Sequence, residues 1–252
     1  MSDLTIPDFW FIKESLTSFK LLPIELTIPI PVFRSAREVA NGENALFALK
    51  GMKSNSTAII CSSHFKNSNY KDKILKLISC ENLEIFYKDW TGDISFEKIK
   101  NINSKIFNFK PDLIIAIGGG SIIDAAKIIW ANYESPQFEE EMIFRPFSLP
   151  KLRSRSSFVA IPTTVGSGSE VSSSAVVYDP NSGSKKAIVT HCFLPDVVIL
   201  DPNLALEVPL SIQIETVADA LTHALEGYTS KISHPLMNNF AEQTVNIIYR
   251  NL

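Results

Sequence analysis

Residues 113–127 read Leu-Ile-Ile-Ala-Ile-Gly-Gly-Gly-Ser-Ile-Ile-Asp-Ala-Ala-Lys. The apolar run Leu113–Ile117 is short, rich in isoleucine and closed by glycines, the pattern of a buried parallel strand. The residues after the glycines read as a helix start, with Ser121 as the expected cap and Asp124 three residues on, near the positive end of the helix. Three glycines at such a turn let backbone N–H groups approach an anion without obstruction by a Cβ. A tight strand–helix turn with a good cap reads the same way from this segment alone. The spacing is not G-x-G-x-x-G, so a different phosphate-binding arrangement is expected.

Working outward, strand-like and helix-like segments alternate. A helical pattern spans about 37–52, and a strand is expected at Thr57–Cys61. Residues 74–78 are helical in period and 83–86 strand-like. Phe96–Phe107 is amphipathic, with Ile99, Ile102 and Ile106 on one face. The helix after the glycines should run to about Asn132. Phe158–Pro162, Val176–Tyr178, Lys186–Val189 and Val197–Leu200 are further strands. Strands alternating with helices at this spacing imply an α/β unit with a parallel sheet. The pattern turns helical from Ser211, where Ile214, Val217, Ala218, Leu221, Ala224 and Leu225 share a face. A second helix should open at Pro235, which suits a first helical position. Three regions are therefore expected: an N-terminal extension over 1–24, an α/β domain over 25–205, and the start of an all-helical domain over 206–252. The extension carries Phe9, Trp10, Phe11 and Phe19 at helix-compatible spacing, and residues 134–157 read as a surface loop.

The 252 residues are 45% hydrophobic and 20% charged, typical of a globular protein. A formal net charge of −3 argues against a nucleic-acid footprint, which needs a basic excess. Cys61, Cys80 and Cys192 lack metal-like spacing and are odd in number, so reduced thiols in a cytoplasmic protein are expected. No signal-peptide pattern and no membrane-length apolar run is present.

Two further segments carry chemistry. Residues 161–171, Ile-Pro-Thr-Thr-Val-Gly-Ser-Gly-Ser-Glu-Val, come after a strand and are rich in hydroxyls. Alone they are equally an ordinary polar turn. Beside a phosphate turn they gain meaning, because loops at the carboxyl ends of parallel strands converge on one crevice. In the first C-terminal helix, Asp219 and His223 stand at i and i+4 and project from one face. A carboxylate and an imidazole so placed can ligate a divalent metal. Alone they read more readily as a capped or salt-bridged surface pair, and a catalytic zinc needs about three protein groups.

Taken in order, GGGSIIDAAK (118–127), PTTVGSGSEVS (162–172), LPDVVILDP (194–202) and DALTHALEGY (219–228) resemble the iron-containing (group III) alcohol dehydrogenase family. That family lies in the superfamily of glycerol dehydrogenase and dehydroquinate synthase. The resemblance runs over about residues 30–252. It implies a nucleotide-binding α/β domain, an all-helical domain, and an active site in the cleft between them. Gly118, Gly119, Gly120 and Ser121 would hold the pyrophosphate of NAD or NADP, with Asp124 supporting the turn. Thr163, Thr164 and Ser167 would lie near the nicotinamide half, with Lys186 as a weaker candidate. Asp219 and His223 would be the first two ligands of iron or zinc. The metal would polarise the oxygen of a small alcohol or aldehyde as a Lewis acid, and the nicotinamide would exchange a hydride at that carbon. The resemblance leaves room for a homodimer, and for a dehydroquinate synthase-type lyase as an alternative activity.

Two departures matter. The family often closes its early strand with an acidic residue that bonds the adenosine ribose, and Ser63 stands in that place here. A serine does not repel a 2′-phosphate, so acceptance of NADPH is expected. Ser63→Asp should then change the NADPH-to-NADH ratio of kcat/KM. The family also supplies two more histidine ligands beyond Asp219 and His223. Residues 224–252 contain only His234, expected as a cap or loop residue before Pro235. The apolar pattern is still running at Leu252, so the chain is expected to be a fragment, or else a degenerate member that binds nucleotide without turnover. The substrate pocket is not legible, and phosphonoacetaldehyde, lactaldehyde and short aliphatic aldehydes all stay open.

Overall fold

A computed structural model describes residues 34–136, 144, 151–180, 182–231 and 233–251. The expected N-terminal arm over 1–24, the proline-punctuated stretch after it and Glu139-Glu140-Glu141 lie outside the described residues.

Six strands form one parallel sheet: β1 (Glu38–Asn41), β2 (Lys53–Cys61), β3 (Ser79–Tyr87), β4 (Leu113–Gly118), β5 (Ser157–Pro162) and β8 (Val197–Leu200). Their order is β1-β8-β5-β4-β2-β3. Every residue of β4 is buried, as its unbroken apolar run requires of a strand covered on both faces. One face packs against α2 (Phe96–Phe109) and α3 (Gly120–Glu134), through Ile99, Ile102, Ile106, Ile123 and Trp130. The other face is covered by a 3-10 turn (Ala45–Gly51) and by α1 (Lys71–Leu77), through Leu46, Leu49 and Ile74. Strands β6 (Ser174–Asp179) and β7 (Ser184–Val189) form a separate antiparallel hairpin against α3.

The order has a functional consequence. From β2 the sheet runs outward to β3, and from β4 it runs the opposite way to β5. The direction reverses between β2 and β4, and in such sheets ligands bind outside the strand carboxyl ends at that reversal. The glycine turn stands at the carboxyl end of β4.

After β8, a turn at Pro202–Glu207 leads into α4 (Leu210–Thr229), then α5 (Pro235–Asn251). The expected boundary near 205 falls in that turn. Helices α4 and α5 pack on each other. His234 Nδ1 accepts from the Leu236 backbone N–H at 3.1 Å, which is a capping role.

Two expectations are corrected. Residues 37–52 are not one helix: they form edge strand β1 and the 3-10 turn. Gly42 (φ +114°) and Asn44 (φ +67°) break the right-handed backbone between them. β1 is held by parallel pairing with β8 (Glu38 beside Val197), which outweighs the local period. Ser121 is not the cap of α3. Gly119 is the cap residue, with no side-chain capping bond, and the helix begins at Gly120.

Candidate functional site

The uncapped start of α3 is the first element of the site. The first amides of a helix have no partner four residues back, and here no side chain of the capping residue fills that role. The glycines are required by close approach. A Cβ on Gly118 (φ +154°) would lie 2.8 Å from Ile122 Cγ1. One on Gly120 would lie 2.5 Å from Ser167 Oγ, and one on Gly119 would lie 3.1 Å from Thr164 Oγ1.

The hydroxyl-rich loop after β5 therefore closes directly over the glycine turn. The Thr163 N–H donates to Gly118 O at 3.1 Å. The loop's far side presses on α4, where a Cβ on Gly166 would overlap the Thr216 carbonyl oxygen. Gly166 O also lies 3.3 Å from His223 Nδ1. On α4, His223 Nε2 is 3.6 Å from Asp219 Oδ1, and both side chains are about half exposed. Three segments far apart in sequence thus meet at one place. A cleft of about 550 Å³ opens there, lined by Gly120, Ser121, Asp124, Ser167, Asp219 and His223 among others.

Asp124 lines the floor of the cleft, and Lys127 is buried behind it. They are i and i+3 on α3, and both are buried. Asp124 Oδ2 accepts from the Val176 N–H at 2.9 Å, which ties α3 to β6 rather than to the glycine turn. Its Oδ1 is buried without a hydrogen-bond partner. Burial pushes this carboxyl above its usual range, against the pull of Lys127, the Val176 N–H and Ser169. Lys127 Nζ donates to Ser172 O and Ser174 O, each at 2.8 Å. Burial pulls its ammonium down to about 8, opposed by Asp124 and Glu170. Burial also raises Glu170.

The remaining sequence candidates are placed differently. Lys186 does not reach the cleft: its Nζ is 2.6 Å from Asp179 Oδ2 and lies over the Phe144 ring. Its neighbour Lys185 lines the cleft, and its Nζ is 2.8 Å from Asp93 Oδ1. Adjacent residues of a strand point to opposite faces, so only the hairpin register could choose between these lysines. Ser63 lies just past β2 and is exposed. The register pairs Cys61 with Ile117, so residues 62 and 63 are level with the glycine turn on the neighbouring strand. Sequence reading missed Lys127 and Glu170, although the i, i+3 spacing of Asp124 and Lys127 was a visible sign of a shared helix face. Asp93, Tyr178 and Lys185 also line the cleft, and nothing in their local sequence marks them.

The donor sets differ in completeness. The glycine cradle, the free helix amides and the orphaned Asp124 Oδ1 fit a dinucleotide whose phosphates accept and whose far end offers an N–H or O–H. Asp219 and His223 fit as two ligands of a divalent ion. No group of three or more His, Cys, Asp or Glu suited to a metal exists among the described residues. Two donors do not make a catalytic metal site. No described helix is long and apolar enough to cross a membrane.

Comparison with known proteins identifies the family. The profile of a family described as iron-containing alcohol dehydrogenase matches residues 37–202. An NADPH-dependent butanol dehydrogenase of Clostridium saccharobutylicum is 32% identical over 222 residues, covering 87% of this chain and 57% of that protein. A 1-propanol dehydrogenase of Citrobacter freundii is 33% identical over 213 residues, covering 84% of this chain and 53% of that protein. The structure of an iron-containing alcohol dehydrogenase from Thermococcus thioreducens superposes with a TM-score of 0.77 at 29% identity, over 87% of this chain and 59% of that one. The chain thus spans somewhat over half the length of the relatives it matches.

Proposed function

Since the chain belongs to the iron-containing alcohol dehydrogenase family, we propose that it forms the nucleotide-binding part of a cytoplasmic oxidoreductase. The enzyme would move a hydride between NAD or NADP and a small alcohol or aldehyde. The observation that supports this best is the convergence of the glycine turn, the hydroxyl loop and the Asp219–His223 face of α4 on one cleft.

Each residue then has a physical task. The amides after Gly118, Gly119 and Gly120, with the Ser121 hydroxyl, receive the pyrophosphate at the positive end of α3. Thr163, Thr164 and Ser167 close over the turn and fix the direction in which the dinucleotide leaves it. Asp124 Oδ1 accepts a hydrogen bond from the nicotinamide half. Lys185, rather than Lys186, faces the ligand from the hairpin wall. Ser63 borders the adenosine ribose. When bound, the nicotinamide supplies or takes the hydride. Asp219 and His223 serve as two ligands of iron or zinc, with at least one more donor drawn from outside the described residues. The two relatives named for butanol and 1-propanol favour a short primary alcohol as substrate.

Calorimetry with NADH and NADPH, elemental analysis and butanal-dependent oxidation of the reduced cofactor test the proposal together. Dinucleotide binding, stoichiometric metal and turnover support it in full. Binding with substoichiometric metal and no turnover supports the second reading, a nucleotide-binding chain without catalysis, which the two-donor count favours for this chain alone. Binding of neither dinucleotide overturns both.

A further inference from the structure

We propose that Asp93 holds Lys185 in an ion pair at the rim of the cleft, and that an entering dinucleotide takes Lys185 from it. Asp93 thereby limits how tightly the ligand is held and hastens its release. This rests on the reading of the cleft as a dinucleotide site, and it assigns a residue that tunes affinity there.

The charges that line the cleft are unequal. Among the described residues, Lys185 is its one lysine or arginine, against the carboxylates of Asp93, Asp124 and Asp219. The free amides of α3 and this one ammonium are what the cleft offers to an anionic pyrophosphate. The ammonium is already engaged, since Lys185 Nζ is 2.8 Å from Asp93 Oδ1. The two side chains are 60% and 51% exposed. An ion pair this open to water is worth little and is easily exchanged. A pyrophosphate carries more charge than one carboxylate, so it can displace Asp93 from Lys185.

The two partners come from different elements, and the backbone of each is braced. Asp93 lies in the loop between β3 and α2. Gly92 turns that loop through the left-handed region (φ +67°). Trp90 and Ile94, on either side, are buried. Lys98 Nζ donates to Thr91 O and to Asp93 O, each at 2.8 Å. Lys185 stands on β7, in register with Tyr178 on β6. The Tyr178 N–H donates to Ile94 O at 2.7 Å, so loop and hairpin stay joined when the ion pair opens. Releasing Lys185 therefore needs a side-chain movement and no rearrangement of backbone. Its neighbour Lys186 does not take its place, because that ammonium is paired with Asp179.

The test is a double-mutant cycle on binding and needs no turnover. NADH and NADPH are titrated calorimetrically into the chain, Asp93→Asn, Asp93→Glu, Lys185→Ala and the double variant Asp93→Asn/Lys185→Ala. Stopped-flow displacement of NADH gives the dissociation rates. Asp93→Asn should tighten NADH about three- to fivefold, the worth of one exposed ion pair, through slower dissociation. The gain should shrink at high salt. Asp93→Glu, which keeps the carboxylate, should bind as the unaltered chain does. Lys185→Ala should weaken binding, and adding Asp93→Asn to it should restore nothing. Unchanged or weaker binding by Asp93→Asn overturns the inference and leaves the cofactor reading standing. A gain that persists without Lys185 also overturns it, since Asp93 would then act by repelling the ligand directly. Failure of the unaltered chain and of Asp93→Asn to bind either dinucleotide overturns the inference and the cofactor reading together.

Discussion

Helix α3 and the pair α4–α5 share this chain and its apolar residues, but they stand in different surroundings. In α3 almost every side chain is buried, including the charged Asp124 and Lys127. Trp130 is fully buried, stacked on Phe158 at 5.0 Å and covered by Arg153. In α4 no residue is buried, and in α5 only Ala241 is. Ile247 and Tyr249 are 62% and 83% exposed. Amphipathic period alone did not bury these helices; a facing layer did so for α3, whereas among the described residues α4 and α5 have each other and, for α4, the loop at Gly166. The same contrast runs through the site. The glycine-turn side of the cleft is built from the filled sheet and its hairpin, whereas the α4 side offers two half-exposed side chains, Asp219 and His223.

The comparison can be broken by substitution. The largest effect is expected from Trp130→Ala, which should lower unfolding stability by about 3–5 kcal/mol, as large-to-small changes in a filled core do. Urea denaturation measures it, and a loss under about 1 kcal/mol would show that the α3 layer is not closed. Lys127→Ala should cost about 3 kcal/mol, because it leaves the Ser172 and Ser174 carbonyls without their donor and removes the charge that opposes the burial of Asp124. This lysine also carries a pH signature. Its native ammonium releases a proton near 8, well below its ordinary value of 10.5. Between those values the unfolded chain binds more protons, so stability rises with pH. The margin of the wild type over Lys127→Met should therefore grow from about pH 8 to about pH 10, and a flat margin would remove the buried ammonium from the account.

Gly166→Ala sharpens the joint between the two regions. Its new methyl would meet the Thr216 carbonyl, so loop and helix must part, at a cost of about 2 kcal/mol. Weaker NADH binding should accompany this, read by fluorescence titration; unchanged binding would separate the hydroxyl loop from cofactor recognition. The smallest effects belong to α5. Ile247→Ser and Tyr249→Ser should each stay within about 0.5 kcal/mol of wild type in this chain, since neither side chain is enclosed. A larger loss would mean that a facing layer covers α5 in solution.

Much of this was legible before any coordinates. The apolar run into Gly118 marked a doubly covered strand, because β4 has no solvent face on which to place polar residues. The helices at 96–109, 210–229 and 235–251 were legible from their period, the one at 120–134 from its glycine-led start, and Pro235 from its fit to a first turn. The reading failed at 37–52, where pairing with the distant β8 outweighed local period. It failed again at Ser121, where the glycine before the helix, not the serine within it, sits at the cap position. Asp124 was placed at the turn, yet its partner Val176 lies on a hairpin fifty-two residues away.

By itself the sequence determined the α/β alternation, the glycine turn at the end of a buried strand and the pairing of Asp219 with His223 on one helix face. All three arise from periodicities of the local backbone. Only the tertiary structure decided that the strand order reverses between β2 and β4, that Lys185 rather than Lys186 lines the cleft, and that Lys66 stands over the Tyr87 ring at the end of β3. Those facts depend on strand order, hairpin register and long-range packing, which bring together groups that no local spacing relates.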